Sequence, residues 1–175
     1  MGILVRLFRL PIFRAFSQFG GLQGVIVMVF YQIGHFIFFK LRLPVIRQLC
    51  WAMYRLIELF FIRLIFDCEI PAQCHIGKGL HLPHGPKGIV INPYAKIGNN
   101  VTIFHYVTLG QNKQAKTAPI IEQDVIIGAG AKLLGNITIA KAAKIGANAV
   151  VLQNIPSGAT AVGIPAQIKS NKIRT

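Results

Sequence analysis

Five histidines are spread through the chain: His35, His75, His81, His84 and His105. Imidazole ordinarily titrates near neutral pH, so a histidine on an exposed turn is well placed to take a proton from a hydroxyl group. Counted in groups of six from Ile70, His84 and His105 both fall in third place. His75 and His81 fall in sixth place of adjacent groups and are read as structural. Cys50, Cys68 and Cys74 are odd in number and form no CxxC pair. They are expected to be reduced thiols, with Cys68 and Cys74 filling the core.

The count of six comes from the chain itself. An aliphatic residue recurs at Ile70, Ile76 and Leu82, at Ile91, Ile97, Ile103 and Leu109, and at Ile121, Ile127, Leu133, Ile139, Ile145 and Val151. Gly often follows it, and a small or aliphatic residue often stands in fifth place. A helix needs apolar spacing near 3.6, and a half-buried strand needs a spacing of two. A spacing of six fits short strands joined by turns around a shared axis, which is a parallel β-helix with three groups to the coil and about five coils. Two irregularities interrupt it. Three extra residues, read as Gly88-Ile89-Val90, separate Leu82 from Ile91. The polar stretch Gln111–Pro119 lacks an aliphatic residue at 115 and reads as a loop leaving the coil. His84 and His105 are then separated by one full coil plus the insertion. If the extra residues bulge outward, the two stack one strand spacing apart, ~4.8 Å. Breaks in a solenoid are where function tends to sit, because regular coils only stack.

Several stretches together resemble serine acetyltransferases. They are Ile76-Gly77-Lys78-Gly79-Leu80-His81-Leu82-Pro83-His84-Gly85 with Gly88-Ile89-Val90-Ile91, then Val107-Thr108-Leu109-Gly110, then Ile127-Gly128-Ala129-Gly130-Ala131-Lys132, and the ending Gly163-Ile164-Pro165-Ala166. The resemblance covers roughly residues 68–168. It implies a left-handed β-helix, a homotrimer, and acetyl-CoA bound between neighbouring subunits, with His84 as general base. His105, set beside His84 by the spacing, is read as an acceptor-binding or auxiliary residue, the alternative being a structural edge residue. Direct transfer to a hydroxyl group is expected, since no cysteine or serine lies in a motif suited to an acyl-enzyme. The expected cofactor contacts are Gly110, Gly128, Ala129 and Ala147 along the pantetheine arm, with main-chain N–H groups near Gly110 or Gly128 steadying the oxyanion. Lys132, Lys141 and Lys144 are candidates for the phosphates. No metal is expected. His81, His84 and His105 can be drawn as a zinc set, but the order of the motifs opposes a zinc-dependent carbonic anhydrase.

The chain also departs from that family. Pro83 stands where the resemblance calls for Asp, Cys68 (between Asp67 and Glu69) where it calls for a second Asp, and Thr117-Ala118 near an expected Arg-His pair. The acceptor is therefore expected to be a sugar hydroxyl of a capsular or exopolysaccharide, or of its lipid-linked precursor. Serine, as in cysteine biosynthesis, is the alternative. A non-catalytic membrane scaffold is the rival of another class.

Residues 1–66 follow different rules from 67–168, and 169–175 form a tail. Lys and Arg number 19 against 5 Asp and Glu, a net charge of +14, which points to anionic partners. No recognised nucleic-acid motif accompanies that charge. The run Leu22–Phe39 contains no Lys, Arg, Asp or Glu and sits near the lower length limit for a spanning helix. Arg6, Arg9 and Arg14 precede it, and Lys40, Arg42 and Arg47 follow it. Cations on both sides oppose a single crossing. A helical anchor lying on or re-entering the cytoplasmic leaflet of the bacterial inner membrane is expected. A soluble trimerisation layer is the alternative, and no signal-peptide cleavage site follows the apolar run.

Overall fold

The spacing of six becomes three parallel sheets wound into a triangular prism. The computed structural model describes residues 11–112 and 116–169. One sheet stacks β1 (His75–Ile76), β3 (Lys96–Ile97), β6 (Ile120–Ile121) and β9 (Thr138–Ile139). A second stacks β2 (Val90–Ile91), β5 (Thr108–Gly110), β8 (Lys132–Leu134) and β11 (Val150–Val151). The third stacks β4 (Thr102–Ile103), β7 (Ile126–Ile127), β10 (Lys144–Ile145) and β12 (Thr160–Val162), with β13 (Gln167–Lys169) antiparallel on β12. The aliphatic residue of each group lies directly over that of the next coil. Ile91, Leu109, Leu133 and Val151 form one column, Ile76, Ile97, Ile121 and Ile139 another, and Ile103, Ile127 and Ile145 the third. Ile76 is half-buried, while the others in these columns are at most 3% exposed. Ile70, Ile91, Leu109, Leu133 and Val151 thus mark five coils.

Pairing relocates the first irregularity. Val90 pairs with Thr108 and Ile91 with Leu109, which puts Ile89 in fifth place beside Val107. Ile89 is fully buried, so Gly88-Ile89-Val90 belongs to the regular coil. The Tyr106 N–H donates to the Lys87 carbonyl, as Gly130 does to His105 and Asn148 to Ala129. Lys87 therefore holds third place, and the extra residues lie between Leu82 and Lys87. His84 stands inside the insertion. The second irregularity is also larger than the sequence implies. Ile97 pairs with Ile121, four groups of six further along, where a coil takes three. A whole group has left the coil, and residues 113–115 of it lie outside the described residues.

Before the prism come α1 (Pro11–Gln18), α2 (Leu22–Phe39), α3 (Pro44–Ile57), a π-helical turn (Glu58–Arg63) and α4 (Leu64–Phe66). Pro44 opens α3, where a missing N–H costs nothing. Arg6 and Arg9, expected to flank this region, and all but the first residue of the expected tail lie outside the described residues. One stripe of α2 packs on the first coil. Val27, Met28 and Tyr31 are buried with Ile70, Cys74 and Leu80, and the Tyr31 hydroxyl donates to the Cys74 carbonyl at 3.0 Å. Phe30 and Trp51 stack on Tyr54, joining α2 to α3. Glu58 is buried and held by Arg55 and Arg63, and Arg63 also reaches Glu69 at 2.9 Å.

Candidate active site

The inserted turn carries His84 outward, then folds back through Gly85, whose N–H donates to the Leu82 carbonyl at 3.1 Å. His84 is exposed, and its ring meets the His105 ring edge to face, with centroids 5.4 Å apart and planes at 78°. The two imidazoles come together as expected, although by a turn reaching down a coil and not by stacking in register. Phe104 lies against His84 at 5.7 Å, and Tyr106 against His105 at 5.5 Å. Nδ1 of His105 is buried and has no hydrogen-bond partner among the described residues. An orphaned buried nitrogen costs about 1–3 kcal/mol, a penalty that a bound polar group would remove.

Three residues that hold this geometry escaped the sequence reading. The Leu82 N–H donates to the Gln18 carbonyl at 2.7 Å, and Gln18 Nε2 donates to the Leu80 carbonyl at 2.8 Å. Gly20, at φ 67°, lies so close to the turn that any side chain there would run into the backbone of Leu82 and Gly85. The end of α1 therefore braces the His84 turn from behind. Tyr106, at φ 59°, holds the left-handed corner that Gly88, Gly130 and Asn148 hold in the neighbouring coils. That conformation is strained for an aromatic residue. Its ring lies over Gly88 and beside His105. The signal was present in the sequence: aligned groups carry Gly or Asn in fourth place, and this one carries Tyr.

Below the His pair the edge becomes shallow. The backbone bonds that set Lys87 over His105 continue to Ala129 and then Ala147, so the third-place column shrinks from imidazole to methyl. Ala129 is half-buried and Ala147 exposed, which leaves a shallow shelf of small side chains. Gly128 has a different reason to be small, because a side chain there would strike the backbone of Gly146 and Ala147. Its N–H donates to the Ile145 carbonyl at 2.8 Å, so that donor is already used and is not available to an oxyanion. Gly110 lies in the β5–β8 ladder opposite Leu134. Lys132 Nζ is tied to the Tyr106 carbonyl at 2.8 Å and to Thr108 Oγ1 at 3.0 Å, steadying the strained corner. Lys141 and Lys144 are exposed on the outer faces.

The remaining histidines are elsewhere. His75 is exposed in β1, His35 makes a 2.9 Å contact with the Ala72 carbonyl, and His81 bridges to Thr102 in the coil below. Among the described residues no three His, Cys, Asp or Glu side chains cluster as a metal would require. Burial pushes the Cys68 and Cys74 thiols up to about 12, with Asp67 and Glu58 adding to the shift at Cys68. Cys68 is therefore no substitute for an ionised Asp.

Residues 118–153 match the family described as bacterial transferase hexapeptide (six repeats). The serine acetyltransferase of Buchnera aphidicola subsp. Schizaphis graminum is 46% identical over 110 residues, 61% of this chain and 42% of that protein. Soybean serine acetyltransferase complexed with serine superposes with a TM-score of 0.73 at 36% identity, over 84% of this chain and 57% of that one. Serine acetyltransferase of Brucella abortus in complex with coenzyme A gives 0.73 at 33%, over 84% and 56%. The chain thus spans roughly half the length of these relatives. The likeness implies a left-handed hand for the prism.

The comparisons overturn the expectation of a sugar acceptor, because the matched relatives are serine acetyltransferases. One of the departures behind that expectation also has a packing origin. Ala118 is 6% exposed within the core of the prism, so its small side chain fits the packing of the coil. A five-coil prism with a bulging turn at a histidine pair, together with these likenesses, shows that the chain is similar to hexapeptide-repeat acyltransferases and closely resembles serine acetyltransferases over about half of their length.

Proposed function

We propose that this chain is an acetyl-CoA-dependent O-acetyltransferase whose acceptor is the hydroxyl of L-serine. The observation that carries the reading is the pairing of exposed His84 with His105 at the head of a shelf of alanines. The likeness to structures holding serine and coenzyme A supports the choice of substrates.

Acetyl-CoA supplies the acetyl group as a thioester already activated for attack. His84 takes the proton of the acceptor hydroxyl as its oxygen forms a bond to the acetyl carbon, and returns that proton to the departing sulfur. His105 lies edge to face against His84 and keeps its ring in place beside the acceptor. Ala129 and Ala147 leave room for the pantetheine arm, and Lys144 is an exposed cation close in sequence to that shelf. Pro83 cannot orient His84 as a carboxylate would. The aromatic contacts of Phe104 and His105, with the brace from Gln18 and Gly20, supply the orientation instead. His84 lies on an open edge and not in a closed cavity, which suits a site completed by the neighbouring subunit of a homotrimer.

The test is release of free thiol from acetyl-CoA by the purified chain. Release is expected to require L-serine and to saturate with it. Release at the same rate without an acceptor, or none with serine, would remove serine from the reading.

A further inference from the structure

Helices that complete a soluble protein hide their apolar side chains, and these do not. Phe36 and Phe39 on α2, Leu49 on α3, and Phe60 and Leu64 beyond it are more than half exposed, Leu64 reaching 76%. Exposed apolar area on this scale marks a partner surface.

Charge identifies the partner. Lys40, Arg42, Arg47 and Arg55 are exposed along the same helices. The one carboxylate side chain in residues 1–66 is Glu58, which is 2% exposed and bonded to Arg55 and Arg63. Residues 22–66 therefore present exposed apolar and cationic side chains and no exposed acid, the exposed Asp67 coming only after them. Two copies placed face to face would set cations against cations, whereas an anionic bilayer satisfies both properties.

Geometry fixes how the helices meet it. At about 1.5 Å per residue α2 reaches about 27 Å, less than a hydrocarbon core of about 30 Å. One stripe of α2 is already committed to the prism through Val27, Met28 and Tyr31, and through His35 against the Ala72 carbonyl. A helix fixed along one side to a water-exposed prism cannot cross a bilayer. We infer that residues 22–66 seat the chain on an anionic membrane surface, with α2 and α3 lying in the interfacial plane. The end of α1 that braces the His84 turn is joined to α2 by a single Gly-containing turn, so the seat also holds the catalytic edge close to the bilayer.

The test is flotation of the full chain with vesicles of phosphatidylcholine alone, or with about a third phosphatidylglycerol. The chain is expected to float with the anionic vesicles and at least about tenfold less with neutral ones or in molar salt. A Lys40→Glu/Arg42→Glu/Arg47→Glu variant is expected to lose binding to the same degree with an unchanged melting temperature. Failure to float with anionic vesicles would overturn the inference. So would equal flotation on both vesicle types by wild type and variant, or an oligomer that Leu49→Glu breaks while flotation is unaffected.

Discussion

The prism and the helical segment are both rich in Ile, Leu, Val and Phe, and they use them in opposite ways. In the prism a spacing of six sends each aliphatic residue to a shared axis, where Leu109, Ile127 and Leu133 lose all contact with water. In α2 apolar residues occur on every side and only one stripe finds the prism, while most apolar residues of α3 stay exposed. The same residue types stabilise the fold in one region and form a surface in the other. The site lies where the two regions touch, at a turn belonging to the prism but braced by the helices.

The sharpest way to break that division is at the turn itself. His84→Ala is expected to lower acetyl transfer by about 10²–10⁴-fold with little change in melting temperature, because the side chain is exposed and makes only edge contacts with Phe104 and His105. A parallel loss of stability would mean that His84 is a packing residue. Paired truncations sharpen the contrast next. Leu133→Ala is expected to cost about 2–5 kcal/mol in denaturant unfolding, and Leu64→Ala within about 0.5 kcal/mol in the absence of lipid. Similar losses at both positions would mean that the helices are covered in solution.

Gly20→Ala probes the brace. It forces a side chain into a left-handed position against Leu82 and Gly85, and is expected to cut kcat by about ten- to a hundredfold by displacing His84. Little change in KM for acetyl-CoA is expected, since the shelf lies lower on the edge. The smallest effect concerns the thiols. Cys68 and Cys74 in the prism stay protonated well above their ordinary range, while Cys50 in α3 is half-buried. At pH 8 a thiol reagent is expected to label Cys50 alone in the native chain. The sign of the pH dependence follows from the raised values. The unfolded chain loses these protons near pH 9 and the folded chain near 12, so their stabilisation is complete below pH 9 and is lost between 9 and 12.

Much of the prism was legible because a spacing of six has few structural solutions, and the inward residues named themselves. The meeting of His84 with His105 was legible too, as a separation of one coil plus an insertion. The position of the extra residues was not. Counting assigns an insertion to the last residues before the phase resumes, and it takes the strand register and the burial of Ile89 to show that the phase resumes earlier. The brace from Gln18 and Gly20 was invisible because it joins segments far apart in the chain, largely through backbone atoms. The sugar acceptor was inferred from departures at Pro83, Cys68 and Thr117-Ala118, and the matched serine acetyltransferases overturn it. Of those positions Ala118 and Cys68 are core residues. The small residues at 128 and 129 look alike in sequence, but one is small for coil stacking and the other opens a shelf.

The central claim is that the His84 turn transfers acetyl groups to serine, and product identification tests it most directly. The full chain, incubated with acetyl-CoA and L-serine, is predicted to yield O-acetylserine and free coenzyme A in equal amounts by mass spectrometry, and His84→Ala to yield neither above background. Coenzyme A released without acetylated serine, or equal product from His84→Ala, would contradict the account.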